Sequence, residues 1–164
     1  MKIAFKVMCL FAAIILTTAA YCQTASLKVS GDITNPLTLL PADLAKMPHT
    51  TVDMKDHDGN IHVYSGVPLL SILDSAGAAT GKQLHGKNMV KYLLVKCADG
   101  YQVLFSLPEV DSSFTNRKII LADASDGKPL PGKTGPFRIV VEGDKKQARS
   151  AFQVQEFVIG SIKN

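Results

Sequence analysis

The chain has 164 residues, of which 46% are hydrophobic and 20% are charged, and its formal net charge at pH 7 is +4. This length is expected of one main domain. The charge is too small to indicate a nucleic-acid-binding protein, and no lysine- and arginine-rich run interleaved with aromatic residues supports one.

The first 22 residues have the pattern of a secretory signal. Lys2 and Lys6 precede an apolar run, Val7–Leu16, and small residues follow at 17–20. The apolar run is shorter than the roughly 20 residues that a membrane-spanning helix needs. We therefore predict a signal peptide over residues 1–22 and an exported domain, periplasmic or secreted, over residues 23–164, with no membrane attachment after cleavage.

Cys22 leaves one alternative open within this prediction. Ala20-Tyr21-Cys22 fits a small-x-small cleavage pattern that removes Cys22, whereas a lipoprotein signal makes Cys22 the new N-terminus. Tyr21 is large for lipoprotein processing, which favours removal. Cys97 is then the one cysteine left, so the exported chain contains no internal disulfide and Cys97 is expected to be a buried structural thiol.

Hydrophobic periodicity predicts an α+β domain with mixed β-sheets and a few short helices. Strands are predicted from alternating or β-branched runs, and helices from proline-started segments with helical spacing. The predicted strands are Leu27–Ile33, Leu37–Leu40, Thr50–Lys55, Ile61–Tyr64, Val90–Cys97, Tyr101–Leu107, Arg117–Ala122, a strand starting at Phe137, and Phe152–Ile159. The predicted helices are Pro41–Met47, Gly66–Gly77 and a single turn at Pro108–Val110.

The segment Asp126–Gly143 is rich in proline and glycine in its first half and β-branched in its second half. Proline and glycine exclude a regular helix or a central strand, and the switch at Phe137 predicts a strand that anchors the loop. Arg138 lies at this junction. Its forked, permanently charged side chain suits a phosphate or carboxylate, but from this segment alone pairing with a nearby aspartate or exposure to solvent is the preferred explanation.

This segment and three others resemble one known family. Gly127-x-Pro129-Leu130-Pro131, followed by Gly135-Pro136-x-Arg138, is similar to the signature of the oxidoreductase molybdopterin-binding domain, the catalytic domain type of sulfite oxidases and their bacterial periplasmic relatives. Three further motifs of that family occur earlier in the chain, in the order in which the family has them. They are Val29-x-Gly31-Asp32-Ile33-x-Asn35-Pro36, Tyr64-x-Gly66-Val67-Pro68-Leu69 and Asp99-Gly100-Tyr101.

The resemblance implies a molybdopterin-domain fold in which Arg138, Thr134, Gly135 and His57 occupy cofactor-binding positions, with Arg138 directed toward the pterin phosphate. In the family a cysteine thiolate binds molybdenum, and the matching position here is His57, in His57-Asp58-Gly59-Asn60. Thr134 takes the place of a family histidine, and the family's C-terminal Lys-Trp is absent. We therefore predict that the fold is kept while the oxidoreductase chemistry is lost or changed.

The polar tip of the predicted hairpin provides a different hypothesis. His57 and His62 flank Asp58, and imidazoles with a carboxylate are a recurring ligand set for zinc, copper or iron. The alternative is a solvated turn whose geometry comes from Asp58 and Gly59.

Three functions follow from these patterns, and the sequence leaves open whether the protein is an enzyme. The first is an exported binding module for a small molecule or a periplasmic protein partner, without the usual molybdenum ligand. The second is a molybdopterin-dependent oxidoreductase of the sulfite oxidase type. The third is a non-molybdenum metal site at His57, His62 and Asp58.

Overall fold

The structure is a computed structural model that describes residues 25–162. The predicted signal peptide lies outside the described residues. No helix in the described part of the chain is long and apolar enough to cross a membrane.

Residues 25–162 form ten strands and three short α-helices. The strands are β1 (Leu27–Gly31), β2 (Leu37–Leu39), β3 (Thr50–Lys55), β4 (Ile61–Pro68), β5 (Lys91–Cys97), β6 (Gln102–Ser106), β7 (Ile119–Ser125), β8 (Lys128–Pro129), β9 (Arg138–Val141) and β10 (Val154–Ser161). The helices are α1 (Pro41–Leu44), α2 (Leu69–Ala76) and α3 (Leu107–Val110), and short 3-10 turns lie at Gly81–Gln83, Gly86–Val90 and Gln147–Arg149.

The strands form two five-stranded sheets. The first has the order β2-β1-β10-β5-β6, and its β1–β10 pair is parallel while its other pairs are antiparallel. The second has the order β3-β4-β7-β8, and β9 pairs with the first half of β7. Two sheets, of which the first is mixed and the second antiparallel, together with few short helices confirm the predicted α+β fold class.

One large core joins the first sheet, α2 and one face of the second sheet. Helix α2 buries Leu69, Ile72, Leu73 and Ala76, the three-to-four-residue spacing of one helix face. Gly77 ends the helix in the left-handed conformation, and its N–H donates to the carbonyls of the last turn.

The second sheet also buries its other face, and this positions the candidate site. A smaller cluster there contains Val52, Met54, Tyr64, Ile120, Ala122 and Val140. Strand β7 contributes alternate residues to both clusters, so Ile119–Ala122 are all buried. A fully buried apolar run is what a strand covered on both faces requires.

Several element boundaries differ from those predicted, among them the end of β4 and the position of β8. Strand β4 continues through Pro68, where the start of a helix was predicted, because Gly66–Pro68 pair with β7. The predicted loop also contains β8, which pairs with the end of β7 across a turn at Asp126-Gly127. Both residues have positive φ, 50° and 72°, the backbone that a tight hairpin turn demands.

Candidate functional site

Arg138 begins strand β9 on the face that carries the smaller cluster. It pairs in register with Ala122 and shares its face with Val140, two residues further on. Only 2% of the residue is exposed. A buried guanidinium must find partners within the protein, since a buried charge without them is strongly unfavourable.

Asp56 and Tyr64 supply most of those partners. The Nη1 atom of Arg138 lies 2.9 Å from Oδ2 of Asp56 and also donates to the Tyr64 hydroxyl. The Tyr64 hydroxyl in turn donates to Oδ2 of Asp56 over 2.6 Å. Nη2 makes longer contacts, 3.3 Å to Oε1 of Gln147 and 3.4 Å to Oδ1 of Asp56.

Two aromatic rings complete the enclosure of the guanidinium. Its central carbon lies 4.8 Å from the centre of the Tyr64 ring and 4.4 Å from that of Phe152. Both distances are within the range of cation–π attraction. The buried Nε of Arg138 has no hydrogen-bond partner among the described residues. We call Arg138, Asp56, Tyr64, Gln147 and Phe152 the Arg138 cluster.

The electrostatics of the cluster favour an ionised pair beside a neutral phenol. Burial alone raises the pKa of Asp56, but hydrogen bonds from Arg138 and Tyr64 outweigh it and hold that pKa well below its usual range. Burial, together with the hydrogen bond to Asp56, raises the pKa of Tyr64 to about 12. At neutral pH the cluster therefore holds one cation, one anion and a hydroxyl that donates to the anion.

The other sequence-predicted cofactor residues lie in two local turns. His57 is exposed, and its backbone N–H donates to Oδ1 of Asp56 over 2.8 Å. Thr134 and Gly135 both donate to the carbonyl of Pro131, over 3.2 Å and 2.7 Å. The structure thus brings His57 next to Asp56, a partner of Arg138, whereas none of the described hydrogen bonds joins Thr134 or Gly135 to Arg138.

His62 lies between two carboxylates at the hairpin tip. Its Nδ1 is 2.6 Å from Oδ2 of Asp126 and its Nε2 is 2.9 Å from Oδ2 of Asp58. The hydrogen bond to Asp126, followed by that to Asp58, raises the pKa of His62 to about 9. Both ring nitrogens of the protonated imidazole are donors, so neither is free to bind a metal ion.

The predicted metal site gains no support from this arrangement. Within residues 25–162, no group of three or more histidine, cysteine, aspartate or glutamate side chains is arranged to hold a metal ion. Asp58 and His62 lie together, but the third member of their contact is Asp126, from the β7–β8 turn, and not His57.

The His62 contacts predict a pH dependence of stability. Because folding raises the pKa of His62 from 6.5 to about 9, the stabilisation is complete below pH 6.5 and is lost as the pH rises through 9. The pKa values of Asp58 and Asp126 are lowered from 3.8, so the stabilisation is also lost as the pH falls below that value. We expect the midpoint of urea unfolding to fall between pH 6 and pH 9.5 by more in the wild type than in His62→Gln. Equal losses in the two proteins would contradict the assignment, since His49, whose pKa is also raised, is present in both.

Cys97, the one cysteine of the described residues, lies in the other sheet. It is the last residue of β5, is 7% exposed and pairs in register with Val154 of β10. Burial, with a smaller contribution from Asp99, raises the pKa of its thiol to about 11. The thiol is therefore protonated at neutral pH and packs in the main core, as its sequence context indicated.

Sequence reasoning missed Gln147 and Phe152 and did not connect Asp56 with Arg138. One available signal was the alternation of β3, which places Val52 and Met54 on the same face and, continued by one residue beyond the end of the strand, indicates that face for Asp56. Val52 faces Tyr64 across the hairpin, so the register of the hairpin brings Tyr64 and Asp56 to the same face. Gln147 and Phe152 lie in the chain after β9, where the sequence shows no such alternation.

Comparison with known proteins agrees with the sequence resemblance. The family model described as oxidoreductase molybdopterin binding domain matches residues 16–150. The fold is similar to the crystal structure of the sulfane dehydrogenase SoxCD from Paracoccus pantotrophus, with a TM-score of 0.62 and 20% sequence identity. The similarity covers 85% of this chain and 39% of that one, so the chain spans about two fifths of the length of that relative. Comparison with curated proteins finds no match.

Proposed function

Because the chain belongs to the oxidoreductase molybdopterin-binding domain family, we propose that it is an exported member of this family that no longer binds molybdenum through a thiolate and acts as a binding module. Its ligand is a small molecule or a periplasmic protein partner. The observation that carries the proposal is the Asp56–Arg138 pair.

The Arg138 cluster argues against a cofactor phosphate on Arg138. The resemblance directs this arginine toward the pterin phosphate, yet Asp56 contacts it at 2.9 Å and the ring centres of Tyr64 and Phe152 lie 4.8 Å and 4.4 Å from its central carbon. An incoming phosphate has to displace the Asp56 carboxylate, leaving that carboxylate without its cation. The unpartnered Nε is the one nitrogen of this guanidinium that still lacks an acceptor among the described residues.

The chemistry of the available metal donors points the same way. The sequence resemblance assigns His57 to the position of the family's cysteine, and the thiol of Cys97 is buried in the main core with a raised pKa. A soft thiolate favours a different set of metals from an imidazole. The described residues therefore do not fit a molybdenum cofactor held in the manner of the family, and we derive no reaction step through it.

The proposal predicts mature protein without molybdenum or pterin. The chain is to be exported by a host that makes molybdopterin, purified without chelators, and measured by elemental analysis and by pterin fluorescence after oxidation. We expect less than about one tenth of an equivalent of either per chain. A family member that retains the cysteine, exported by the same host, serves as the control for cofactor supply.

Molybdenum and pterin near one equivalent each would overturn the proposal. They would support the second candidate, a molybdopterin-dependent oxidoreductase, which is favoured by the family match over residues 16–150. Zinc, copper or iron in the same analysis would support the third, metal-binding candidate. That metal must then be lost in His57→Ala.

A further inference from the structure

Strand β6 lies at one edge of the first sheet and pairs there with β5 alone among the described strands. Its residues are Gln102, Val103, Leu104, Phe105 and Ser106, and none of them is charged. Val103 and Phe105 are buried in the main core, whereas the three residues that alternate with them are exposed. Leu104 is 54% exposed. The edge is therefore uncharged and has an exposed apolar side chain at its centre.

The outer side of β6 presents unused backbone groups. In the turn before the strand, Cys97 donates its N–H to the carbonyl of Tyr101 over 3.0 Å, so these two residues form a hydrogen-bonded pair. Such pairs alternate with non-hydrogen-bonded pairs along an antiparallel ladder. The register makes Leu94–Leu104 a non-hydrogen-bonded pair, so the N–H and C=O of Leu104 point away from β5. Within residues 25–162, no backbone hydrogen bond from outside the ladder uses these two groups.

Each of the other strands at a sheet edge is short, charged or buried. Strand β2 has three residues, and β8 has two, one of which is Pro129. Strand β3 has six residues, but its exposed side chains include Asp53 and Lys55. Strand β9 is buried along its whole length. Short length, proline and charged side chains keep sheet edges from pairing with other chains. Strand β6 has neither proline nor charge, and this difference indicates an edge that pairs with another strand.

We propose that β6 pairs antiparallel with β6 of a second copy of the chain, across a two-fold axis at Leu104. A two-fold interface requires a surface that is complementary to itself. Strand β6 meets this requirement, because the polar residues Gln102 and Ser106 lie two positions before and after Leu104 on the exposed face. Leu104 then lies opposite the same residue of the second copy, with reciprocal N–H to C=O bonds, and Gln102 lies opposite Ser106. A strand from a different protein requires no such symmetry.

An apolar row across the first sheet becomes continuous in this dimer. On the exposed face Leu104 is paired with Leu94 of β5, which is paired with Val158 of β10. Leu94 and Val158 are partly exposed. The charges of this face lie in the neighbouring row, where Nζ of Lys96 is 3.1 Å from Glu156. The pairing therefore buries Leu104 at the axis without burying a charge of β6.

The test is sedimentation equilibrium of the mature protein over a wide range of protein concentration. We expect a monomer–dimer equilibrium without larger species, because pairing uses the free edge of both copies. Leu104→Lys should raise the dissociation constant of the dimer at least tenfold, since it places like charges directly opposite each other. The matched control is Ile61→Lys, which adds the same charge at a 70% exposed position of the second sheet and should change the constant less than twofold.

Further variants test the backbone pairing and its register. Leu104→Pro removes an N–H that β5 does not use, so the fold should be retained while the dimer is lost. Leu104→Cys should form a disulfide-linked dimer on oxidation, because the Cα atoms of a hydrogen-bonded antiparallel pair lie about 5.5 Å apart, which a disulfide can span. Gln102→Cys alone should form none, whereas its mixture with Ser106→Cys should. Cys97 is buried and does not compete.

A protein that stays monomeric at every concentration would overturn the proposal, and the edge would then fit a strand from a different protein. Species larger than a dimer, or equal weakening in Leu104→Lys and Ile61→Lys, would contradict pairing through β6. A disulfide in Gln102→Cys alone would contradict the axis at Leu104. The dimer is independent of the proposed function, because stoichiometric molybdenum contradicts that function and leaves the association of β6 unchanged.

Discussion

Replacing Arg138 by methionine is expected to lower the free energy of unfolding by about 3 kcal/mol, the lower end of the range for removing one partner of a buried ion pair. Methionine keeps part of the apolar stem of Arg138 but leaves the Asp56 carboxylate without its cation. The lower end applies because the Asp56 side chain is 20% exposed and retains some contact with water. Urea unfolding followed by circular dichroism measures the change.

A double-mutant cycle separates the pair from the packing around it. Asp56→Asn leaves the guanidinium buried without an anion and should also be strongly destabilising. Combined with Arg138→Met it should cost less than the sum of the single changes, with a coupling energy of roughly 1–3 kcal/mol. Additive effects would mean that the two side chains do not interact in solution.

The control for this cycle is Arg117→Met. Arg117 is 40% exposed and lies 3.3 Å from Asp144, so its loss should cost at most about 1 kcal/mol. The cycle also has a pH signature, since the pKa of Asp56 is lowered from 3.8. The coupling is present at neutral pH, should weaken progressively as the pH falls below 3.8, and should vanish only below the lowered pKa of Asp56, where the unfolded and the folded state both bind the proton.

The alternation of apolar residues was enough to predict most strands and the fold class. It was sufficient for β3, β5 and β10 because each buries alternate residues in a core while the residues between them are more exposed, so the sequence shows the period of two. The prediction was wrong at Gly66–Pro68. These residues suit the start of a helix, but in the structure they form the end of strand β4. Only the pairing of β4 with β7, some 55 residues away in the chain, decides that boundary.

The candidate site was less accessible to sequence reasoning. The sequence singled out Arg138, and pairing with an aspartate, one of the alternatives, is what the structure shows. The choice of Asp56 depends on the register of the β3–β4 hairpin and on the pairing of β9 with β7, and both are long-range contacts. Gln147 and Phe152 reach the guanidinium from the chain after β9, where no periodic pattern marks them.

The glycine of the Tyr64-Ser65-Gly66-Val67 motif has a steric role that predicts the other large effect. Gly66 lies where the β4–β7 register shifts, and a Cβ atom there would lie 2.2 Å from the Leu121 carbonyl oxygen and 2.5 Å from the Ala122 Cα. Both are backbone atoms of a buried strand and cannot rotate away. Gly66→Ala must therefore push β4 from β7, and we expect a loss of about 3 kcal/mol, the upper part of the usual range for overpacking.

For a domain of this size the loss corresponds to a fall of roughly 10 °C in the thermal midpoint. Gly132→Ala is the matched control, because no atom lies within 4 Å of a Cβ placed at Gly132. It should change stability by no more than about 0.5 kcal/mol. If Gly66→Ala were as stable as this control, the close approach of β4 to β7 would be wrong. The displacement should also reach the Arg138 cluster, since Tyr64 lies two residues before Gly66 on the same strand. Tyrosine fluorescence of the folded variant therefore provides a second measure of the same movement.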